Sequence, residues 1–111
     1  MISLSKSAVY VVQGMVKGKS NCGIRVKKTE AGCSGLYFDI VLDKKKKGDV
    51  TLKKHGKLSV FADIQTKEKL YSMPKKHFQP AIVDYAKTNH GFGFITENHM
   101  VRINIFGPDL E

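Results

Sequence analysis

The residue whose side chain is best suited to chemistry is a cysteine, Cys33, in a short run of glycine and serine. Gly32 precedes it, and Ser34 and Gly35 follow it. Glycines leave room around a thiol and permit positive φ, so a turn of this composition would hold Cys33 where it is accessible. An accessible thiol can bind a metal or take part in redox chemistry. Taken alone, however, the spacing favours an ordinary turn in which the cysteine is incidental.

Two alternating apolar segments flank this turn and would position it. Ile24 and Val26 alternate with charged residues before the turn, and large apolar residues alternate after it: Leu36, Phe38, Ile40 and Leu42. Alternation with a period of two is typical of half-buried strands. The stretch from Gly23 to Leu42 therefore predicts a strand–turn–strand unit that carries Cys33 on its loop.

The same stretch resembles the signature of the HesB/IscA family of A-type iron–sulfur assembly proteins. That signature is a Gly-hydrophobic-Arg strand, a Gly-Cys-Ser-Gly loop and an apolar strand, and it matches Gly23-Ile24-Arg25, Gly32-Cys33-Ser34-Gly35 and Leu36-Tyr37-Phe38. The likeness runs from Leu4 to about Phe94. Its further matches are Leu4 to Ala8, Asp63 with Thr66 and Leu70, Val83-Asp84-Tyr85, and Gly91 to Phe94.

This resemblance implies a fold and a function. The fold would be a HesB-like domain, and the function would be binding or assembly of an iron–sulfur cluster, or of iron, as an accessory protein. It implies that Cys33 is a metal ligand and that the chain forms a homo-oligomer. The partners that it implies are the iron–sulfur assembly machinery or an apo-protein client.

The sequence departs from the family where further ligands are expected. Relatives that carry clusters have a Cys-x-Cys near the end, but this chain has no cysteine after Cys33. The equivalent stretch, Ile103-Asn104-Ile105 or its neighbours, is apolar and predicts a strand, which indicates a decayed or altered ligand set. The segment 71–81 is also longer than the family norm.

Replacement ligands are available, each with an ordinary alternative. His99 lies near the region of the missing cysteines, although a histidine in a turn is usually only solvated. Cys22 precedes the first strand, where a cysteine is more often a small buried hydrophobe. His90, a carboxylate or a small thiol such as glutathione complete the candidates, since imidazole can replace thiolate on one iron of a cluster.

The net charge is +9, and lysine supplies nearly all of it. The clearest run, Lys44, Lys45, Lys46 and Lys47, gives an alternative function: a non-enzymatic basic binding module for an acidic protein partner or nucleic acid. No helix-turn-helix, zinc-finger or RNP-type motif accompanies the lysines. Solvated loops are the simpler interpretation.

Three further polar residues allow only general expectations. Arg25 faces away from Ile24 and Val26, so it either lies on a solvated face or supplies charge near the Cys33 loop. His55 lies in a predicted turn and is expected to be solvated. Asp84 is expected to be structural.

The whole chain, 1–111, predicts a single, mostly β domain. We expect a compact mixed β-sandwich or barrel of about eight strands. An N-terminal helix begins after Ser3 or Ser5, and the apolar spacing after Pro80 predicts a short helix near 80–90.

The sequence contains no arrangement of residues typical of an enzyme. We find no Ser-His-Asp or Cys-His-Asn set, no HExxH and no phosphate-binding glycine loop, and therefore expect no catalysis. No membrane segment or secretory signal is visible, so we expect a cytoplasmic protein in which two cysteines are free thiols.

Overall fold

Eight strands in two sheets and two helices make up the part of the chain that the computed structural model describes, residues 2–30, 35–73 and 80–105. The strands are β1 (Ile2–Leu4), β2 (Cys22–Glu30), β3 (Leu36–Lys44), β4 (Val50–His55), β5 (Leu58–Ala62), β6 (Ala81–Thr88), β7 (Gly91–Ile95) and β8 (Val101–Asn104). The helices are α1 (Lys6–Val16) and α2 (Ile64–Ser72). This composition confirms the mostly β fold.

The larger sheet has the strand order β4-β5-β2-β3-β8. Its centre is the hairpin of β2 and β3, which pair antiparallel from Cys22 opposite Lys44 to Glu30 opposite Leu36. β5 lies parallel to β2 on one side of the hairpin, and β8 lies parallel to β3 on the other. The two strands of the predicted strand–turn–strand unit are therefore confirmed, whereas residues 31–34 of its turn lie outside the described residues.

The smaller sheet has the order β1-β6-β7, and it corrects the prediction for residues 80–90. The short helix predicted there is instead the strand β6, which pairs with β1 in parallel and with β7 in antiparallel orientation. Ala81 and Val83 are buried while Ile82 between them is 58% exposed. The period is thus two, and strands on both sides satisfy the backbone of β6, which outweighs the helix-like spacing.

Polar caps begin both helices. The Ser5 side chain accepts a hydrogen bond from the backbone N–H of Ala8, so Ser5 rather than Ser3 caps the N-terminal helix, as Ser3 lies in β1. Asp63 closes β5 and caps α2 by accepting from the N–H of Thr66 at 2.7 Å. Within the described residues, neither helix is long and apolar enough to span a membrane.

One hydrophobic cluster joins the two sheets and both helices. It contains Phe38, Ile40 and Val60 from the larger sheet, Val83 from the smaller sheet, and Val12 from α1 among its members. Leu70 of α2 also belongs to it. Because the cluster reaches every layer, it fixes the β2–β3 hairpin against the rest of the domain.

Candidate metal centre

The loop that carries Cys33 joins β2 to β3 at one end of the larger sheet. Cys33 itself lies outside the described residues, which stop at Glu30 and resume at Gly35. Glu30 and Leu36 form the last pair of the hairpin, so residues 31–35 make the whole connection. Gly35 has φ +95°, a conformation that favours glycine, as expected for a glycine beside this thiol.

His99 lies at the same end of the sheet as this loop. β8 runs parallel to β3, and their first pair is Phe38 opposite Val101. His99 is two residues before Val101, and Leu36 is two residues before Phe38, so both lie at the same end of the sheet. The turn before β8 is held by Asn98, which accepts hydrogen bonds from Met100 N–H at 2.8 Å and Val101 N–H at 3.2 Å. His99 is exposed on this turn. The topology therefore brings an imidazole near the start of β3, where the Cys33 loop ends.

Cys22 lies at the opposite end of the hairpin. It begins β2, and the loop follows Glu30, eight residues later. Eight steps of a strand span about 26 Å, so Cys22 is far from Glu30, the last described residue before the loop. Cys22 is a half-buried free cysteine.

Arg25 has neither of the roles expected for it, because it is a buried structural cation, 7% exposed. Its guanidinium donates to Asp49 at 2.5 and 3.0 Å, to Asp43 at 2.7 Å and to the carbonyl of Lys44 at 3.1 Å. It also lies 4.9 Å from the ring centroid of Phe61. The hydrogen bond from Arg25 lowers the pKa of Asp49, and although burial opposes ionisation of Asp43, the bond from Arg25 lowers its pKa too.

The glycine that begins the matched motif is also structural. A Cβ at Gly23 would lie 2.5 Å from the backbone oxygen of Ser59 in β5. Only glycine permits this close approach between β2 and β5. Two of the motif residues that we matched, Gly23 and Arg25, therefore hold the sheet together at the end away from the Cys33 loop.

A second ion pair ties β8 to β3. Arg102 donates to Asp39 at 2.8 and 3.1 Å and lies 4.4 Å from the ring centroid of Tyr37, and Thr29 donates to the same carboxylate at 2.5 Å. Burial opposes ionisation of Asp39, but the bonds from Arg102 and Thr29 outweigh it and lower the Asp39 pKa. Asp39 thus accepts hydrogen bonds from two protein side chains. Its role is to fix the strand that follows His99.

His55 and Asp84 both have partners. His55 is half-buried and accepts a hydrogen bond at Nε2 from the backbone N–H of Leu4 at 3.3 Å, so the expectation that it is only solvated was wrong. Burial and the nearby Lys53 lower its pKa. Asp84 accepts from Ser5 Oγ at 2.6 Å and Ser7 Oγ at 3.0 Å, which confirms a structural role between β6 and the start of α1.

The run Lys44–Lys47 is exposed and lies at the end of the hairpin away from the Cys33 loop. Its backbone forms the turn that brings Asp49 to Arg25, because Asp49 accepts from the N–H of Lys46 at 2.6 Å. Lys45 donates to Thr51 Oγ1 at 2.7 Å. Partner binding by these lysines stays a prediction.

Comparison with protein-family models gives no match, and comparison with curated proteins gives none. Solved structures do match. The crystal structure of Escherichia coli SufA, a protein involved in biosynthesis of iron–sulfur clusters, aligns with TM-score 0.55 and 20% identity over 87% of this chain and 79% of SufA. The crystal structure of IscA with a 2Fe–2S cluster aligns with TM-score 0.56 and 17% identity over 93% of this chain and 96% of IscA.

The chain has the fold of SufA and IscA. This result confirms the fold expected from the stretch between Gly23 and Leu42. Within the SufA/IscA fold, the strand predicted at residues 103–105 is also present, since β8 covers Val101–Asn104 and Ile105 is buried. Sheet structure therefore occupies the stretch that we aligned with the cysteine pair of the family.

Proposed function

We propose that this chain binds iron or an iron–sulfur cluster through Cys33 and transfers it as an assembly or carrier protein. The supporting observation is that Glu30 and Leu36, the last pair of the β2–β3 hairpin, lie at the same end of the larger sheet as His99. A soft thiolate and an imidazole are the donor types that iron–sulfur clusters use. The SufA/IscA fold supports the same role.

The number of thiols makes the proposed site a shared one. The chain has two cysteines, and about 26 Å of strand lies between Cys22 and Glu30, after which the Cys33 loop begins. A cluster at this end therefore takes Cys33 from each of two copies. His99 of each copy, or an external thiol such as glutathione, completes the ligand set. We propose a homo-oligomer on this ground.

Such a site suits transfer better than permanent storage. With one protein thiolate per chain, the iron is held by fewer strong ligands than four cysteines provide, so a client protein that offers more thiolates can remove it. We propose that the client is an apo-protein or a component of the iron–sulfur assembly machinery, and that the chain is a carrier and not an enzyme. A reducing compartment such as the cytoplasm would keep the thiols free.

Anaerobic reconstitution with iron and sulfide tests this proposal. The wild type and Cys22→Ser should develop the same thiolate-to-iron charge-transfer absorbance, whereas Cys33→Ser should remain colourless. Cys22→Ser is the matched control because it makes the same substitution at the opposite end of the hairpin. His99→Ala should lose iron faster than the wild type when a chelator is added. A colourless wild type, or equal absorbance in Cys33→Ser, would refute the proposal.

A further inference from the structure

A cavity of about 580 Å³ lies at the end of the larger sheet away from the Cys33 loop. Cys22 is on its wall, and Val16, Leu58 and Phe61 contribute apolar surface. The backbone N–H of Lys45 donates to the carbonyl of Asn21 at 2.8 Å, which joins the chain on two sides of the cavity. A cavity of this volume is within the range that small-molecule sites occupy.

Lysines from three separate segments line this cavity. Lys17 and Lys19 follow α1, Lys45 follows β3, and Lys57 lies in the turn between β4 and β5. No aspartate or glutamate is among the described residues of the lining. Like charges that converge on one concavity raise the local concentration of anions, because the low-dielectric walls focus their field.

For three of these lysines, no described carboxylate neutralises the charge. No ion pair of the described residues involves Lys17, Lys45 or Lys57, and the one side-chain partner of Lys45 is the neutral hydroxyl of Thr51. The end of α1 accounts for part of the cluster at most, since a helix C-terminus attracts cations only within its last turn. Lys45 and Lys57 come from other segments, so a different explanation is needed for the convergence.

We propose that this cavity binds a small molecule that carries two or more phosphate or carboxylate groups. Ammonium groups on flexible stems bind such anions as point charges, and the apolar wall would contact the uncharged part of the ligand. The concave shape favours a small anion over the extended backbone of a nucleic acid. The site is separate from the proposed metal centre, because about 26 Å of β2 lies between Cys22 and Glu30.

Cys22 supplies a direct probe of occupancy. In the Cys33→Ser variant Cys22 is the single remaining thiol, and its alkylation by neutral iodoacetamide reports whether the cavity is open. Pyrophosphate or citrate, added at constant ionic strength, should slow this alkylation several-fold with a saturable dependence on concentration. Whichever anion protects better identifies the phosphate or the carboxylate class.

Lysine variants then locate the site. Lys57→Gln should raise the anion concentration needed for protection about tenfold, since it removes one charge-assisted contact. Lys87→Gln is the control, because Lys87 is exposed on β6 and does not line the cavity; it should change nothing. The proposal is overturned by absence of protection at millimolar anion, by equal protection in Lys57→Gln, or by protection with a single-stranded oligonucleotide alone.

Discussion

Replacing Arg25 by methionine should destabilise the domain far more than the same change at Arg102. Both arginines pair with aspartate and lie over an aromatic ring, but the side chain of Arg25 is 9% exposed and that of Arg102 is 46% exposed. The two substitutions therefore compare one chemical change at two levels of burial.

The magnitude follows from what the change leaves behind. Methionine fills much the same space but makes none of the four hydrogen bonds of Arg25, and it leaves the Asp49 carboxylate, 5% exposed, without its cation. Loss of one partner from a buried ion pair costs about 3–5 kcal/mol, which for a domain of this size corresponds to a fall in Tm of about 12–20 °C. Arg102→Met should cost less, because the Arg102 side chain is itself half exposed and the Asp39 carboxylate keeps its hydrogen bond from Thr29.

Urea unfolding followed by circular dichroism measures both variants. For Arg25→Met we expect a large fall in the midpoint with an unchanged slope, which identifies a change of stability and not of the exposed surface. The reasoning would be refuted if the two variants lost similar, small amounts of stability. That result would mean that water already screens the Arg25 pair in the native protein.

Two further predictions concern packing and pH. Gly23→Ala should destabilise the domain by about 1–3 kcal/mol, because its Cβ would meet the Ser59 carbonyl. Gly14→Ala, with open space around it in α1, should stabilise the domain by about 0.5–1 kcal/mol. Thermal unfolding compares the two variants, and equal changes in stability would contradict the contact between Gly23 and Ser59. His55 has a folded-state pKa below its ordinary value of 6.5, so the unfolded chain binds its proton first as the pH falls. The stability that neutral His55 contributes should be complete above about pH 6.5 and decline below it until the lower, folded pKa is passed. Unfolding titrations at pH 5–7 should show this slope, and its persistence in His55→Asn would exclude His55 as the source.

The local elements of the fold could be predicted from the sequence. The hairpin of β2 and β3 follows from apolar alternation within twenty residues, and α1 follows from its apolar stripe and its serine cap. Elements that depend on distant partners were missed or mistaken. β1 is three residues long, and it forms because β6 pairs with it across nearly eighty residues. That pairing covers Ala81–Val83 and pairing with β7 covers Asp84–Thr88, so residues 81–88 form a strand where local spacing predicted a helix.

The roles of the matched motif residues could be predicted only in part. Resemblance drew attention to Gly23 and Arg25, but their partners, Ser59 and Asp49, lie 36 and 24 residues away in sequence. Nothing local identifies such partners. The lysine-lined cavity is a product of topology as well, because it needs the ends of three segments to meet.

The most direct test of the proposed function is the iron content of Cys33→Ser and Cys22→Ser after parallel anaerobic reconstitution. The account predicts that Cys22→Ser retains the iron-to-protein ratio of the wild type and that Cys33→Ser retains almost none. Equal iron in the two variants would contradict it, because the metal would then be held by residues other than the thiol between β2 and β3.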